Sequence, residues 1–472
     1  MRTRAKWGTL LVVSIAVALA LTRADAQPAA LSPDQQLLFD IYKELVEINT
    51  TASVGDNTKA AEAMARRLVA AGFPAGDVQV LAPAPRKGNL VVRLRGSGAR
   101  RPLLLLAHLD VVEARREDWS VDPFTLLERD GYYYGRGTTD DKAMAAIFVT
   151  NLIRFRRDGY VPDRDLIVAL TADEEGGGHN GVRFLLANHR ALIDAALAIN
   201  EGGAGALRNG RHVYNALQAS EKIVQSYRLE ATNKGGHSSL PVRDNAIYHL
   251  ADALGRLARF DFPLHIDEVN RAFFERTATT STGAAADDMR ALARAQPDPA
   301  AAARVAALAP ALNARMRTTC VATRLEGGHA NNALPQMARA VVNCRVLPGE
   351  TEAQVRETLV RALGDERITV TPTGPFFPSP ASSLTPEILG AVEQVTAEMW
   401  PGIPVIPTMG TGATDSKYLR AAGIPAYGTS GIFNDVDDVR AHGRDERILV
   451  RSLYEGQEYL YRLVKRLSGG AP

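Results

Sequence analysis

The sequence predicts an α/β fold, a mixed sheet with helices on both faces, plus an inserted α+β domain. Short apolar runs alternate with helical patterns before residue 219, which is typical of a sheet covered by helices on both faces. Separate strand and helix blocks follow up to residue 376 and indicate an α+β insert. The 472 residues also exceed the usual size of one hydrophobic core, so we expect at least two domains.

The first part of the chain supplies the elements of the α/β unit. Residues 33–71 carry apolar side chains at helical spacing and predict two amphipathic helices. Compact apolar runs then predict four buried strands, at 89–94, 103–107, 166–171 and 195–199. Helices at 143–156 and 182–188 are expected between these strands.

The insert has a different pattern, because alternation of apolar and polar residues replaces the compact runs. The expected elements are a strand at 224–231, a helix at 245–260, an Ala-rich helix at 284–316, paired strands at 319–325 and 338–347, a helix at 352–363 and a strand at 368–372. We expect the long insertion at 262–318 to extend this domain. A last helix is predicted at 447–467.

Composition and charge restrict the class of protein. Apolar residues make up 46% of the chain and charged residues 23%, as in ordinary globular proteins. The formal net charge is only +2, and no basic run is present in the sequence. Nucleic acid is therefore not an expected partner.

The N-terminus has the pattern of a secretory signal peptide. Arg2, Arg4 and Lys6 precede an apolar stretch at 7–21, and Ala24-Asp25-Ala26 supplies a small-x-small cleavage site. A membrane anchor is the alternative, but the stretch is short for a span of about 20 residues. We predict a signal peptide at residues 1–26, a secreted or periplasmic protein, and no stable membrane span after cleavage.

Only two cysteines are present, Cys320 and Cys344. They can build neither a multi-disulfide framework nor a zinc site of four thiolates. Both lie about equally far from the turn between two expected antiparallel strands. We predict that they form a disulfide, and two neighbouring core thiols remain the alternative.

Residues suited to metal binding lie at the ends of expected strands or in the loops that follow. His108 and Asp110 end one strand, and ligands gather at such strand ends in open α/β sheets. Each position alone also fits an ordinary role, such as a capping pair or a helix N-cap. Together the residues form an imidazole and carboxylate set that suits divalent metals, Zn²⁺ first and Co²⁺ or Mn²⁺ as alternatives. The set is His108, Asp140, Glu175, Glu201 and His442.

These residues and three further motifs carry a resemblance. The clusters around the five candidate ligands, in their order along the chain, resemble the M20 family of metallopeptidases, which includes carboxypeptidases, aminoacylases and dipeptidases. The three further motifs, Gly135–Lys142, Gly235–Ser239 and Asn343–Gly349, indicate the branch of that family. The similarity covers nearly the whole chain after the signal peptide and is greatest to the carboxypeptidase S branch and its secreted N-acyl amino acid relatives. It implies a zinc-peptidase catalytic domain at 27–218 and 377–472, interrupted by a lid or dimerisation domain at 219–376.

The resemblance implies how the metal ligands divide. His108, Asp140 and Glu201 would hold one zinc ion, and Asp140, Glu175 and His442 the other, so that Asp140 bridges the two ions. This division agrees with the chemistry of two-metal hydrolases, in which ions about 3.5–4 Å apart act on one shared water.

The resemblance also implies roles outside the metal ligands. Asp110 would orient His108, and Glu174 would be the general base. His237 would reach a neighbouring active site and stabilise the oxyanion, although an ordinary loop histidine is the alternative. Asn332, Arg345 and Gly412 would contact the substrate. As alternatives, Arg345 could be an ordinary surface charge on a strand, and Gly412 could belong to an ordinary turn.

The implied reaction is metal-dependent hydrolysis of a peptide or N-acyl amide bond adjacent to a free carboxylate, by a homodimer joined through its lids. Two alternatives stay open. A dizinc aminopeptidase or dipeptidase would recognise a free amine, which leaves His237 and Arg345 without a role. A non-catalytic binding protein of the same fold would not need Glu174.

Overall fold

The computed structural model describes residues 30–469, so the predicted signal peptide at 1–26 lies outside the described residues. The strands are β1 Val78–Leu81, β2 Asn89–Leu94, β3 Leu103–His108, β4 Leu127–Arg129, β5 Tyr132–Tyr134, β6 Leu166–Thr171, β7 Leu197–Asn200, β8 Gly205–Arg208, β9 Arg211–Glu221, β10 Ile223–Thr232, β11 Gly236–His237, β12 Thr319–Gly327, β13 Ala333–Leu334, β14 Met337–Val346, β15 Ile368–Pro372, β16 Val405–Gly410, β17 Ala426–Gly428, β18 Phe433–Asp435 and β19 Arg447–Leu449.

The helices connect and cover these strands. They are α1 Pro33–Glu47, α2 Asn57–Ala70, α3 Lys142–Arg157, α4 Gly181–Asn188, α5 Arg190–Ile193, α6 Ala246–Leu257, α7 Glu268–Thr280, α8 Gly283–Leu292, α9 Pro299–Leu308, α10 Pro310–Met316, α11 Glu352–Leu363, α12 Pro386–Met399, α13 Ser416–Ala421 and α14 Val450–Leu467. Within residues 30–469, every helix is too short or too polar to span a bilayer.

A mixed sheet of ten strands forms the larger body, in the order β1-β2-β6-β3-β7-β17-β9-β8-β18 with β16 beside β9. The strand β3 is buried along its whole length. Leu103 and Leu105 pack into one hydrophobic core with α1, α3 and α14, whereas Leu104 and Leu106 pack into a second core with α4 and α13. Successive side chains of a strand point to opposite faces, so both faces need a cover of helices. The predicted α/β fold is confirmed.

A second sheet has four strands in the order β12-β14-β10-β15. The helices α6 and α11 pack on it, and Tyr227, Leu250 and Leu359 are buried in the core between them. Cys320 on β12 lies directly opposite Cys344 on β14, and a disulfide joins the two residues. The predicted disulfide is confirmed, as is the α+β character of the insert.

The Ala-rich stretch differs from its prediction, because it forms three helices and not one. Pro299 and Pro310 stand at the first positions of α9 and α10. Proline has no backbone N–H to donate and is favoured at the first position of a helix, so each of the two begins a new helix. Pro310 also prevents α9 from continuing, because α9 ends at Leu308, whereas α8 already ends at Leu292.

The insertion at 262–318 also lies elsewhere than expected. Its first helix, α7, packs against β16 of the large sheet. Arg276 donates to the backbone oxygen of Val405 at 2.8 Å, and Arg315 donates to the Thr408 hydroxyl at 2.6 Å. The insertion therefore supports the large sheet in addition to lengthening the connection to β12.

Candidate dinuclear metal site

The site lies at one edge of the large sheet. The strands β3, β6 and β7 run parallel, so their carboxyl ends meet at the same edge. His108 ends β3, Glu174 and Glu175 follow β6, and Glu201 follows β7. Parallel pairing therefore brings together side chains that are far apart in the sequence.

His108 is held in one orientation. Its Nδ1–H donates to the backbone oxygen of Asp110 at 2.9 Å, which leaves Nε2 free to act as a ligand. That nitrogen lies 3.0 Å from Asp140 Oδ1 and 3.9 Å from Glu201 Oε1. The backbone carbonyl of Asp110 thus helps to orient His108, and the Asp110 carboxylate lies 3.6 Å from the same ring nitrogen.

Asp140 lies between two groups of ligands. Its Oδ1 faces His108, and its Oδ2 lies 3.1 Å from Nε2 of His442, which is 2.8 Å from Oε1 of Glu175. In each group the potential ligand atoms lie within 4.8 Å of one another. The two groups are His108, Asp140 and Glu201, and Asp140, Glu175 and His442.

The donor set fits a pair of divalent cations. Glu175 Oε1 is buried and accepts no hydrogen bond from the described residues, although His442 Nε2 lies close to it. Burial and the neighbouring Asp140 raise the pKa of Glu175, and burial raises the pKa of Glu201 well above its usual range. Carboxylates crowded in this way are destabilised until a cation compensates their charge.

The Asp110 carboxylate organises the loop after β6. Its Oδ1 accepts from the backbone N–H of Glu174 at 3.1 Å, and its Oδ2 accepts from that of Glu175 at 3.0 Å. Burial and the charge of Asp415 raise the pKa of Glu174 to about 8. One carboxylate therefore fixes the backbone of both acidic residues, and a cation nearby would lower the pKa of Glu174 again.

Two buried residues that the sequence reasoning did not single out hold the loops of Asp140 and His442. Glu446 Oε1 accepts from the backbone N–H of Thr139 at 2.8 Å and of Asp140 at 3.2 Å. Arg136 donates to the backbone oxygen of Gly443 at 2.9 Å. Arg136 lies in the motif Gly135–Lys142, and Glu446 follows His442 by four residues, but nothing in this spacing indicates these contacts.

A buried ion pair between Glu221 and Arg420 holds the segment that contains Gly412. Glu221 Oε1 lies 3.3 Å from Arg420 Nη1, and Glu221 Oε2 accepts from the Thr414 hydroxyl at 2.8 Å. Both side chains of the ion pair are almost completely buried. Gly412 itself has open space where a side chain would project.

The remaining predicted residues lie on the smaller sheets. His237 and Asn332 stand at the pairing of β11 with β13, where Ser238 N–H donates to the Asn332 oxygen at 3.1 Å. Arg345 lies on β14 opposite Val224. Within residues 30–469, these three side chains make no hydrogen bond or ion pair with the five potential metal ligands.

Comparison with known proteins places this site in a family. The family described as Peptidase family M20/M25/M40 matches residues 104–466, which include all five potential ligands. The chain belongs to this family. The M20 family binds a dinuclear metal centre, and its members are hydrolases.

Relatives and solved structures agree with this membership. An N-fatty-acyl-amino acid synthase/hydrolase of Xenopus tropicalis is 32% identical over 378 residues, which cover 74% of this chain and 69% of that protein. A probable carboxypeptidase S-like protein of Dictyostelium discoideum is 27% identical, over 77% of this chain and 71% of the relative. An M20 metallo-carboxypeptidase from Sulfolobus solfataricus has the same fold, with a TM-score of 0.65 at 16% identity, covering 93% of this chain and all of that one.

Proposed function

We propose that this M20 protein is a dizinc hydrolase that cleaves the amide bond of N-acyl amino acids with a free carboxylate. The two three-residue groups that share Asp140 carry the proposal, because they offer ligands for two ions that one carboxylate can bridge. The relatives named as N-fatty-acyl-amino acid hydrolases favour this substrate class.

Each ion has its own set of residues. His108, Asp140 and Glu201 would hold one ion, and Asp140, Glu175 and His442 the other. Imidazole and carboxylate ligands without thiolate suit Zn²⁺. When bound, the pair of ions would supply Lewis acidity for the scissile carbonyl and for the attacking water.

Glu174 is proposed as the general base. Its side chain is largely buried, it accepts no hydrogen bond from the described residues, and its backbone is fixed by Asp110. A free carboxylate in this position can take the proton from the attacking water and give it to the leaving amine. The reaction then breaks the C–N bond and releases a carboxylic acid and an amino acid.

The lid residues are proposed to select the substrate. Arg345 makes no hydrogen bond or ion pair with other described residues, so its guanidinium can bind the free carboxylate of the substrate, together with Asn332. Gly412 would line the cleft. His237 is exposed, and its Nδ1 lies 2.7 Å from the Ser239 hydroxyl, so Nε2 remains free to donate to an oxyanion.

We further propose a division at residues 219 and 376 into a catalytic body and a lid, with dimerisation through the lids. A strand of the large sheet ends at Glu221, and a strand of the four-stranded sheet begins at Ile223. Export after cleavage of residues 1–26 is proposed as well. The Cys320–Cys344 disulfide supports it, because disulfides persist in oxidising compartments.

A substrate screen tests the function. Zinc-loaded protein is assayed against N-acyl amino acids, dipeptides and C-terminally amidated N-acyl amino acids, and release of the amino acid is measured. We expect N-acyl amino acids to be hydrolysed fastest, with at least a tenfold loss of kcat/KM on amidation and no activity after chelation. Faster cleavage of dipeptides would indicate a carboxypeptidase or dipeptidase instead.

A further inference from the structure

A cavity of about 380 Å³ lies beside the candidate metal site. Asp140 and Glu201 form one of its walls, and the buried apolar side chains of Met144, Leu207 and Ile432 line its interior. Sites for small molecules typically have volumes of about 300–1,000 Å³ and mostly apolar linings. The cavity thus has the size and the lining of a ligand pocket and is continuous with two of the ligands.

Regular elements build the cavity. Met144 lies on α3, one helical turn after Asp140, and Leu207 lies on β8, shortly after Glu201. The strand β8 pairs with β18, where Asp435 stands opposite Leu207. Side chains on paired strands and helices are held more firmly than those on loops, so the cavity has a defined shape.

The charged side chains in the lining indicate that the cavity does not bind the free carboxylate of the proposed substrate. Arg440 and Arg447 line the cavity, but both donate to Asp438, at 2.7 and 2.6 Å. Asp435 and Asp141 add further acidic groups to the lining. The lining thus holds five carboxyl groups, Asp140, Asp141, Glu201, Asp435 and Asp438, against two guanidinium groups that are already paired with Asp438. This excess of acidic groups disfavours the free carboxylate of a substrate in the cavity.

We propose that this cavity binds the aliphatic acyl chain of the substrate, an inference that rests on the proposed hydrolysis of N-acyl amino acids. In such a substrate the acyl chain is bonded to the carbonyl carbon that reacts at the metal site. The chain therefore begins next to Asp140 and Glu201 and continues into the space that these residues border. The amino acid carboxylate points the opposite way, towards the lid.

A series of N-acyl-leucines from acetyl to dodecanoyl tests the proposal on the zinc-loaded protein. We expect kcat/KM to rise by about twofold to fourfold for each added methylene until the cavity is filled, as burial of methylene groups predicts. Binding of decanoate, followed by calorimetry, should show a negative heat-capacity change and should be stronger than binding of butanoate.

Ala204 is exposed and lines the cavity, so Ala204→Trp should block it without disturbing the core. We expect the ratio of kcat/KM for decanoyl-leucine to that for acetyl-leucine to fall by at least tenfold, and the binding of decanoate to weaken. Leu207→Ala should move the optimum to longer chains. Ala303→Trp, at an exposed helical position outside this cavity, is the matched control and should change neither the ratio nor the binding.

The outcomes separate the two proposals. Failure to hydrolyse any N-acyl-leucine would overturn the proposed function. Two results would overturn the acyl pocket alone. One is hydrolysis at a rate that does not depend on the length of the acyl chain. The other is an Ala204→Trp variant in which both decanoate binding and the ratio of kcat/KM for decanoyl-leucine to that for acetyl-leucine are unchanged. Preference for lysyl-leucine over decanoyl-leucine would also overturn the acyl pocket, because the acidic lining would then bind a cationic group and not an aliphatic chain.

Discussion

Arg136 donates to Glu446 at 2.7 Å, and both side chains are almost completely buried. The pair connects two loops of potential metal ligands that are about 300 residues apart in the sequence, since Arg136 precedes Asp140 and Glu446 follows His442. His442 has a φ of 63°, a left-handed conformation that is uncommon outside glycine. The Arg136 contact to the neighbouring Gly443 oxygen helps to hold it there.

Glu446→Gln should therefore weaken metal binding although Glu446 is not a ligand. The Oε2 atom of Glu446 accepts from the N–H of Gly137, and Oε1 accepts from those of Thr139 and Asp140. Glutamine keeps only one of these two acceptor oxygens, so part of the set is lost and the loop of Asp140 loosens. We expect zinc affinity to fall by about 10- to 100-fold, as for other residues that position ligands. Competition with a chromophoric chelator measures it. Glu326→Gln, at an exposed lid position, is the control, and equal affinities of the two variants would contradict the prediction.

Glu174→Gln and Glu175→Gln should fail in different ways. Glutamine at 174 cannot accept a proton, so kcat should fall by about 10²- to 10⁴-fold while both metal ions remain bound. Glutamine at 175 replaces a charged ligand, so one ion should be lost and excess zinc should restore part of the activity. Metal content and rate are the two measurements. Loss of metal in Glu174→Gln, with full metal content and activity in Glu175→Gln, would reverse the assignment.

The site is proposed to use His237 of the partner subunit, which predicts complementation between inactive variants. His237→Ala and Glu174→Gln should each have low activity. A mixed dimer of the two would contain one site with an intact Glu174 and an intact His237, so random exchange of subunits should restore about a quarter of the wild-type activity. Subunits are mixed, incubated and assayed. Activity that stays at the level of the separate variants would argue against a shared site.

The disulfide should stabilise the four-stranded sheet. Cys320 and Cys344 are 24 residues apart, and closing a loop of this size contributes about 3 kcal/mol by its effect on the unfolded chain. The double variant Cys320→Ala/Cys344→Ala should therefore unfold at a lower denaturant concentration. Added reductant should destabilise the wild type and leave the double variant unchanged. Two free thiols in the unreduced wild type would show that the bond does not form.

Lys222 should make stability depend on pH. Burial lowers its pKa to about 7, and its ammonium nitrogen lies 2.7 Å from the Arg317 oxygen. Between pH 7 and the unfolded pKa of about 10.4, the unfolded chain binds a proton that the folded chain does not, so the free energy of unfolding rises with pH. The slope from this group is at most about 1.4 kcal/mol per pH unit, and it vanishes below pH 7.

Lys222→Met removes that slope. Denaturant unfolding at pH 6, 7.5 and 9 should show the wild type gaining stability relative to the variant only above pH 7. Lys59→Met, at an exposed position, is the control and should run parallel to the wild type. A constant difference between wild type and Lys222→Met would mean that Lys222 stays charged in the folded protein.

Several features could be predicted because they depend on short stretches of sequence. The helix at 352–363 and the strand at 368–372 have the predicted bounds, since a capping Thr351 and a clear apolar pattern define them. The last helix begins at Val450 and not at Arg447, because Arg447–Leu449 pairs with β5. Such a pairing depends on a distant partner, which a local pattern does not contain.

The sequence by itself determined the family, the types of the potential metal ligands and the strands that end near them, because these follow from residue identity and local periodicity. Only the tertiary structure decided that Glu446 and Arg136 hold the ligand loops, that the insertion packs on β16, and that a cavity adjoins Asp140 and Glu201. The physical reason is that these features arise from contacts between segments that are hundreds of residues apart or from the space left between packed elements. Neither is a property of any single segment.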